Sequence, residues 1–62
     1  MPRIYVDWIK GRSEEQRDLL AERITKEFVE IANVTPEQVF IVFKENDPDM
    51  YYKAGLQYDK RK

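Results

Sequence analysis

The 62-residue chain contains no cysteine and no histidine, so disulfides and the thiolate and imidazole ligands of most metal sites are excluded. Its 11 basic and 12 acidic residues leave a net charge of −1, which gives no basic footprint for nucleic acid and none for an anionic membrane. At this length the whole chain, 1–62, is expected to form one domain with barely enough core to offset its ordering entropy, and the 42% apolar content makes self-assembly the remaining stabiliser.

Pro2-Arg3-Ile4-Tyr5-Val6-Asp7-Trp8-Ile9 reads as the first strand, with Ile4, Val6 and Trp8 on one face and Arg3, Tyr5, Asp7 and Ile9 on the other. Lys10-Gly11-Arg12 interrupts it. Ser13-Glu14-Glu15-Gln16 has the spacing of a capping box, so a helix is expected from Ser13 to about Asn33. Leu20, Ile24, Phe28 and Ile31, widened by Leu19 and Ala32, form the apolar stripe predicted to pack on a sheet. The opposite face, including Asp18, Glu22, Lys26 and Glu30, reads as solvated.

Thr35-Pro36-Glu37-Gln38 repeats the helix-start signal, but the next apolar run follows too closely for more than one turn. Val39 to Glu45 is then predicted as a second strand, with Val39, Ile41 and Phe43 on one face and Phe40, Val42 and Lys44 on the other. A strand, a long helix and a strand make a βαβ unit whose strands are parallel and whose crossover is right-handed. Asn46-Asp47-Pro48-Asp49 is expected as a turn, followed by a short extended segment or hairpin over Met50 to Leu56. Lys60-Arg61-Lys62 is a solvated terminus or an arm onto a neighbouring copy. With no signal peptide and no long apolar run, a cytoplasmic protein is the default expectation.

Most catalytic constellations are missing. Without histidine or cysteine there is no Ser-His or Cys-His pair, and Gly11 and Gly55 alone make no phosphate-binding loop. Two groups remain. Removal of Met1 would leave Pro2 with a free secondary amine whose basicity desolvation and nearby cations can lower toward neutrality, and Arg12 can hold a carboxylate bidentately. Together they suit proton transfer at a carbon next to a carbonyl.

Pro2 directly after Met1, an eight-residue strand, the run Gly11-Arg12-Ser13-Glu14-Glu15-Gln16 opening a long helix and a second strand ending in Glu45 resemble the 4-oxalocrotonate tautomerase family over nearly the whole chain. The resemblance implies an α/β fold: a β-α-β protomer with a parallel two-stranded sheet, completed by dimerisation into a four-stranded sheet. Three such dimers would make a homohexamer with active sites shared between subunits. It further implies a cofactor-independent isomerase in which Pro2 is the general base, Arg12 binds the substrate carboxylate, and Ile9 and Tyr51 wall the pocket, to which this sequence adds Phe40. The substrate class would be enol or unsaturated 2-oxo acids, 2-hydroxymuconate-like or arylpyruvate enols.

The sequence departs from the family pattern at Phe40, which stands where the tautomerase has a second arginine; a phenyl ring supplies no donors. Arg3, Lys44 and Lys53 are the candidates to replace that cation. The departure favours a monoacid with an apolar or aromatic body over a dicarboxylate. Alternatives are a related proline-dependent hydratase, dehalogenase or decarboxylase, or a non-catalytic oligomeric scaffold. No cofactor, metal, nucleic-acid or membrane partner is implied.

Overall fold

A computed structural model of the chain describes residues 1–58; the basic tail over Lys60, Arg61 and Lys62 lies outside them. β1 (Arg3–Ile9) leads into α1 (Glu14–Ala32), a single 3-10 turn (Pro36–Gln38) and β2 (Phe40–Asn46). A second 3-10 turn (Pro48–Met50) and a hairpin of β3 (Tyr52–Lys53) and β4 (Leu56–Gln57) follow. β1 and β2 are parallel and in a register that pairs Arg3 with Phe40 and Ile9 with Asn46. The expected β-α-β unit is therefore present, with each strand starting one residue later than the apolar pattern suggests.

Local chemistry sets the element ends. Gly11 has φ of 137°, a conformation that side chains resist, and it turns the chain out of β1. The Ser13 hydroxyl accepts the Gln16 N–H at 3.1 Å while the Gln16 side chain accepts the Ser13 N–H at 3.0 Å, the reciprocal box that starts α1. Asn33 ends the helix in the left-handed conformation, at φ of 57°. In the hairpin, Ala54 and Gly55 both take positive φ, 55° and 78°, as a tight two-residue connection requires.

The register and the side-chain alternation give the sheet two unlike faces. Ile4, Val6, Trp8, Ile41 and Phe43 are half-buried on the face toward α1, where the Trp8 and Phe43 rings stack at 5.2 Å and Arg17 of the helix reaches Glu45 at 3.4 Å. The helix residues that become half-buried are Arg17, Ala21, Ile24, Thr25, Phe28 and Val29. The expected stripe is thus rotated: Ile24 and Phe28 hold, whereas Leu19, Leu20 and Ile31 remain exposed, Ile31 at 79%. Two strands are too narrow to cover an apolar face that wide.

Among the described residues nothing covers the outer sheet face either. Tyr5, Phe40 and Val42 are exposed on it, and no described residue of the single protomer is fully buried. Two apolar surfaces, the outer sheet face and the flank of α1, are therefore open.

Candidate active site

The two ends of the parallel sheet carry different chemistry. At the end where both strands begin, the Phe40 N–H donates to the Pro2 carbonyl at 3.0 Å, tying the start of the chain to β2. Met1, Arg3, Tyr5, Phe40 and Val42 line a shallow groove of about 280 Å³ there. Met1, the residue bonded to the Pro2 nitrogen, is among the lining residues, whereas Pro2 itself is not.

At the opposite end, the Lys10 N–H donates to the Asn46 carbonyl at 2.8 Å. The Asn46 side-chain amide donates to Asp7 Oδ1 at 2.6 Å and to the Trp8 carbonyl at 3.1 Å, and the Tyr51 hydroxyl donates to the same Asp7 oxygen at 2.7 Å. The hydrogen bond to Asp7 raises the Tyr51 phenol above its ordinary value of 10.0, reinforced by desolvation and by the Asp7 charge and opposed by Asn46. Lys10 and Asp47 pair at 2.6 Å on the surface, and this hydrogen bond and charge raise the Lys10 ammonium above 10.5.

Arg12 also belongs to this far end. Its guanidinium carbon lies 5.4 Å from the Trp8 ring centroid, a cation-π contact that lays the charged head of the side chain over β1. It borders an open hollow of about 290 Å³ on the helix flank with Gln16, Leu19, Leu20 and Arg23.

Of the residues singled out by the sequence, Pro2 and Phe40 are brought together at the start of the sheet, and Ile9 and Tyr51 at its end. Arg12 stands with the second pair. A seven-residue strand separates the groups by roughly 20 Å, so Pro2 and Arg12 of one protomer do not share a site. Tyr5 and Val42 complete the Pro2 groove and were hidden in the sequence because each reads as an ordinary strand position. Asp7 and Asn46 were likewise missed, Asn46 having been placed in a turn. Among the described residues no group of three or more aspartate or glutamate side chains is placed to hold a metal ion, and no helix is long and apolar enough to cross a membrane.

A family model described as Tautomerase enzyme matches residues 2–61. The chain belongs to the tautomerase family. A probable tautomerase of Halalkalibacterium halodurans is 38% identical to it over 55 residues, 89% of this chain and 90% of the relative. A 4-oxalocrotonate tautomerase isozyme structure from Methylibium petroleiphilum superposes with a TM-score of 0.89 at 30% identity, covering 97% of this chain and 94% of the other. A heterohexameric 4-oxalocrotonate tautomerase of Chloroflexus aurantiacus shares the fold at a TM-score of 0.90 and 21% identity over the full length of both chains. These relatives place the protein in the 4-oxalocrotonate tautomerase group, and its activity is of the tautomerase, isomerase-class type.

Proposed function

We propose that the chain, acting over its whole length as one catalytic domain, is a cofactor-independent tautomerase in which Pro2, freed by removal of Met1, is the general base. The substrate class is enol and unsaturated 2-oxo acids. Pro2 takes the enol hydroxyl proton, the electron pair closes the carbonyl, and the prolinium returns the proton to the conjugated carbon, so the composition of the substrate is unchanged. A positioned base of this kind contributes about 10²–10⁴-fold to rate. The reading is supported by the position of Met1, the residue bonded to the Pro2 nitrogen, in the groove with Tyr5, Phe40 and Val42, because a neighbouring apolar wall lowers the cost of keeping the amine neutral.

Arg12 supplies the carboxylate clamp from a second protomer. The distance between the sheet ends makes a within-chain pairing impossible, whereas the open apolar faces give the protomers surfaces on which to meet. Dimerisation through the β1–β2 sheet, with three dimers forming a homohexamer, covers both faces and brings Arg12, Ile9 and Tyr51 of one subunit toward Pro2 and Phe40 of another. The protein acts in the cytoplasm, where a chain without cysteines needs no oxidising compartment.

The test pairs intact mass with kinetics. A mature protein lacking Met1 is expected, together with a loss of about 10²–10⁴-fold in kcat/KM for Pro2→Ala on phenylenolpyruvate. Turnover by Pro2→Ala equal to the parent's would leave no catalytic proline and would favour an oligomeric scaffold.

A further inference from the structure

The register of the sheet places one charged side chain in the Pro2 groove. Arg3 pairs with Phe40 and Tyr5 with Val42, and side-chain alternation puts all four on the outer sheet face. With Met1 they line the groove, in which Arg3 is the charged residue and Tyr5 the other titratable side chain. Arg3 has no carboxylate partner among the described residues; Lys10 and Arg17, by contrast, are paired with Asp47 and Glu45. A cation left unpaired at the edge of an apolar groove, beside the position of a candidate amine, is poised for an anionic ligand.

The other two candidate cations, Lys44 and Lys53, lie elsewhere. Lys44 stands opposite Asp7 in the register, four residues along β2 from Phe40 and so about 13 Å away. Lys53 lies in β3, in the separate hairpin sheet.

We infer that Arg3 is a substrate-binding residue of this site, holding the 2-oxygen of a 2-oxo or enol monoacid in the same protomer that supplies Pro2. The inference rests on the proline-base reading and adds to it a residue and a substrate class. Arg3 presents a planar fork of donors to the oxygen on which negative charge develops as the proton leaves. Arg12 of the neighbouring protomer then takes the carboxylate, and Tyr5, Phe40 and Val42 take an apolar or aryl body. A second carboxylate at the far end of the substrate would meet this apolar wall unpaired, so monoacids are preferred to dicarboxylates. Arg3 has a second effect: a guanidinium beside the amine disfavours its protonated form and lowers its pKa.

Arg3→Met and Arg3→Lys, made in the processed protein and compared with the parent and Pro2→Ala on phenylenolpyruvate and 2-hydroxymuconate, provide the test. For Arg3→Met, kcat/KM on phenylenolpyruvate is expected to fall roughly 10- to 100-fold, as for a lost charge-assisted hydrogen bond. Its acid limb should move to higher pH, because the amine regains basicity once the cation is gone. Arg3→Lys, which keeps the charge, should return the limb toward the parent's position. A fall in rate with an unmoved limb in Arg3→Met would mean that Arg3 acts only through packing, and the inference would be overturned. It is overturned equally if Arg3→Met retains parental kcat/KM while Pro2→Ala does not, or if the parent turns over the dicarboxylate as well as the monoacid. Parental turnover by Pro2→Ala would instead remove the underlying proline-base reading, and the inference with it.

Discussion

The start and the end of the two-stranded sheet are built to opposite rules. At the end, polar groups answer one another within the protomer: Asn46 and Tyr51 converge on Asp7, and Arg17 meets Glu45. At the start, one hydrogen bond from Phe40 to Pro2 closes the ladder, and beyond it stand Arg3, without a carboxylate partner among the described residues, and exposed Tyr5, Phe40 and Val42. The contrast separates groups that are spent on holding the fold from groups that remain available to a ligand or to another copy. It also divides the consequences of substitution: changes at the end should reach stability first, whereas changes at the start should reach turnover first.

The largest effect expected at the end of the sheet comes from Trp8. Its ring is the surface on which Phe43 stacks and over which Arg12 lies, so its removal takes away packing and a positioning contact together. Trp8→Ala should lower unfolding free energy by about 3 kcal/mol, the low end of the range for a large aromatic because the side chain is only half-buried. It should also raise KM, by loosening Arg12. Trp8→Phe keeps a ring under the guanidinium and should restore most of the parental KM. Denaturant titration at a fixed protomer concentration and steady-state kinetics measure the two parts. The indole N–H is buried with no hydrogen-bond partner among the described residues, so Trp8→Phe also removes an unsatisfied donor, which offsets part of the packing it loses.

Much of this division was legible in the sequence, and the part that was not has a physical reason. The Ser13–Gln16 box, the left-handed Asn33 cap and the turn at Pro36 rest on neighbours in the chain, and local chemistry decides them. The helix stripe was legible only in part: Leu20 and Ile31 have helical spacing, but which of the apolar positions meets the sheet depends on the width of the sheet, a tertiary quantity. Pro2 and Arg12 stand out by residue type, yet residue type does not disclose that a parallel strand holds them at opposite ends. Where Arg3, Lys44 and Lys53 lie relative to Phe40 is not legible in the sequence: the β1–β2 register pairs Arg3 with Phe40 and sets Lys44 four residues away, and Lys53 belongs to the hairpin. Asn46 looked like a turn residue, since asparagine before Asp-Pro usually is one; its role appears only when β1 is laid beside it.

Asn46 offers a more moderate way to break the contrast. Asn46→Ala leaves the Trp8 carbonyl without its side-chain donor and Asp7 with one fewer, and should cost about 1–3 kcal/mol in unfolding free energy with the acid limb of the pH-rate profile unmoved. Thermal unfolding of the variant beside the parent gives the first quantity, and kinetics on a simple enol the second. A shifted acid limb in this variant would mean that the two ends are coupled through the sheet and that the separation drawn between them is too sharp.

The smallest expected effect is spectroscopic and concerns Tyr51. Its hydroxyl donates to Asp7 at 2.7 Å, and that bond must be given up when the phenol ionises, so its folded-state pKa lies above the ordinary 10.0. The sign for stability follows: a group whose pKa is raised on folding contributes stability that is fully present below pH 10 and is lost as the pH rises through the raised value. Tyr51→Phe should therefore be less stable than the parent at neutral pH, and the difference should shrink above pH 10. The difference between parent and variant in tyrosinate absorbance isolates Tyr51 from Tyr5, Tyr52 and Tyr58. An ionisation at or below 10 would show that Asp7 does not hold the phenol in solution. The Tyr51 hydroxyl, no longer committed to Asp7, would then be available as a donor to a ligand at the shared site.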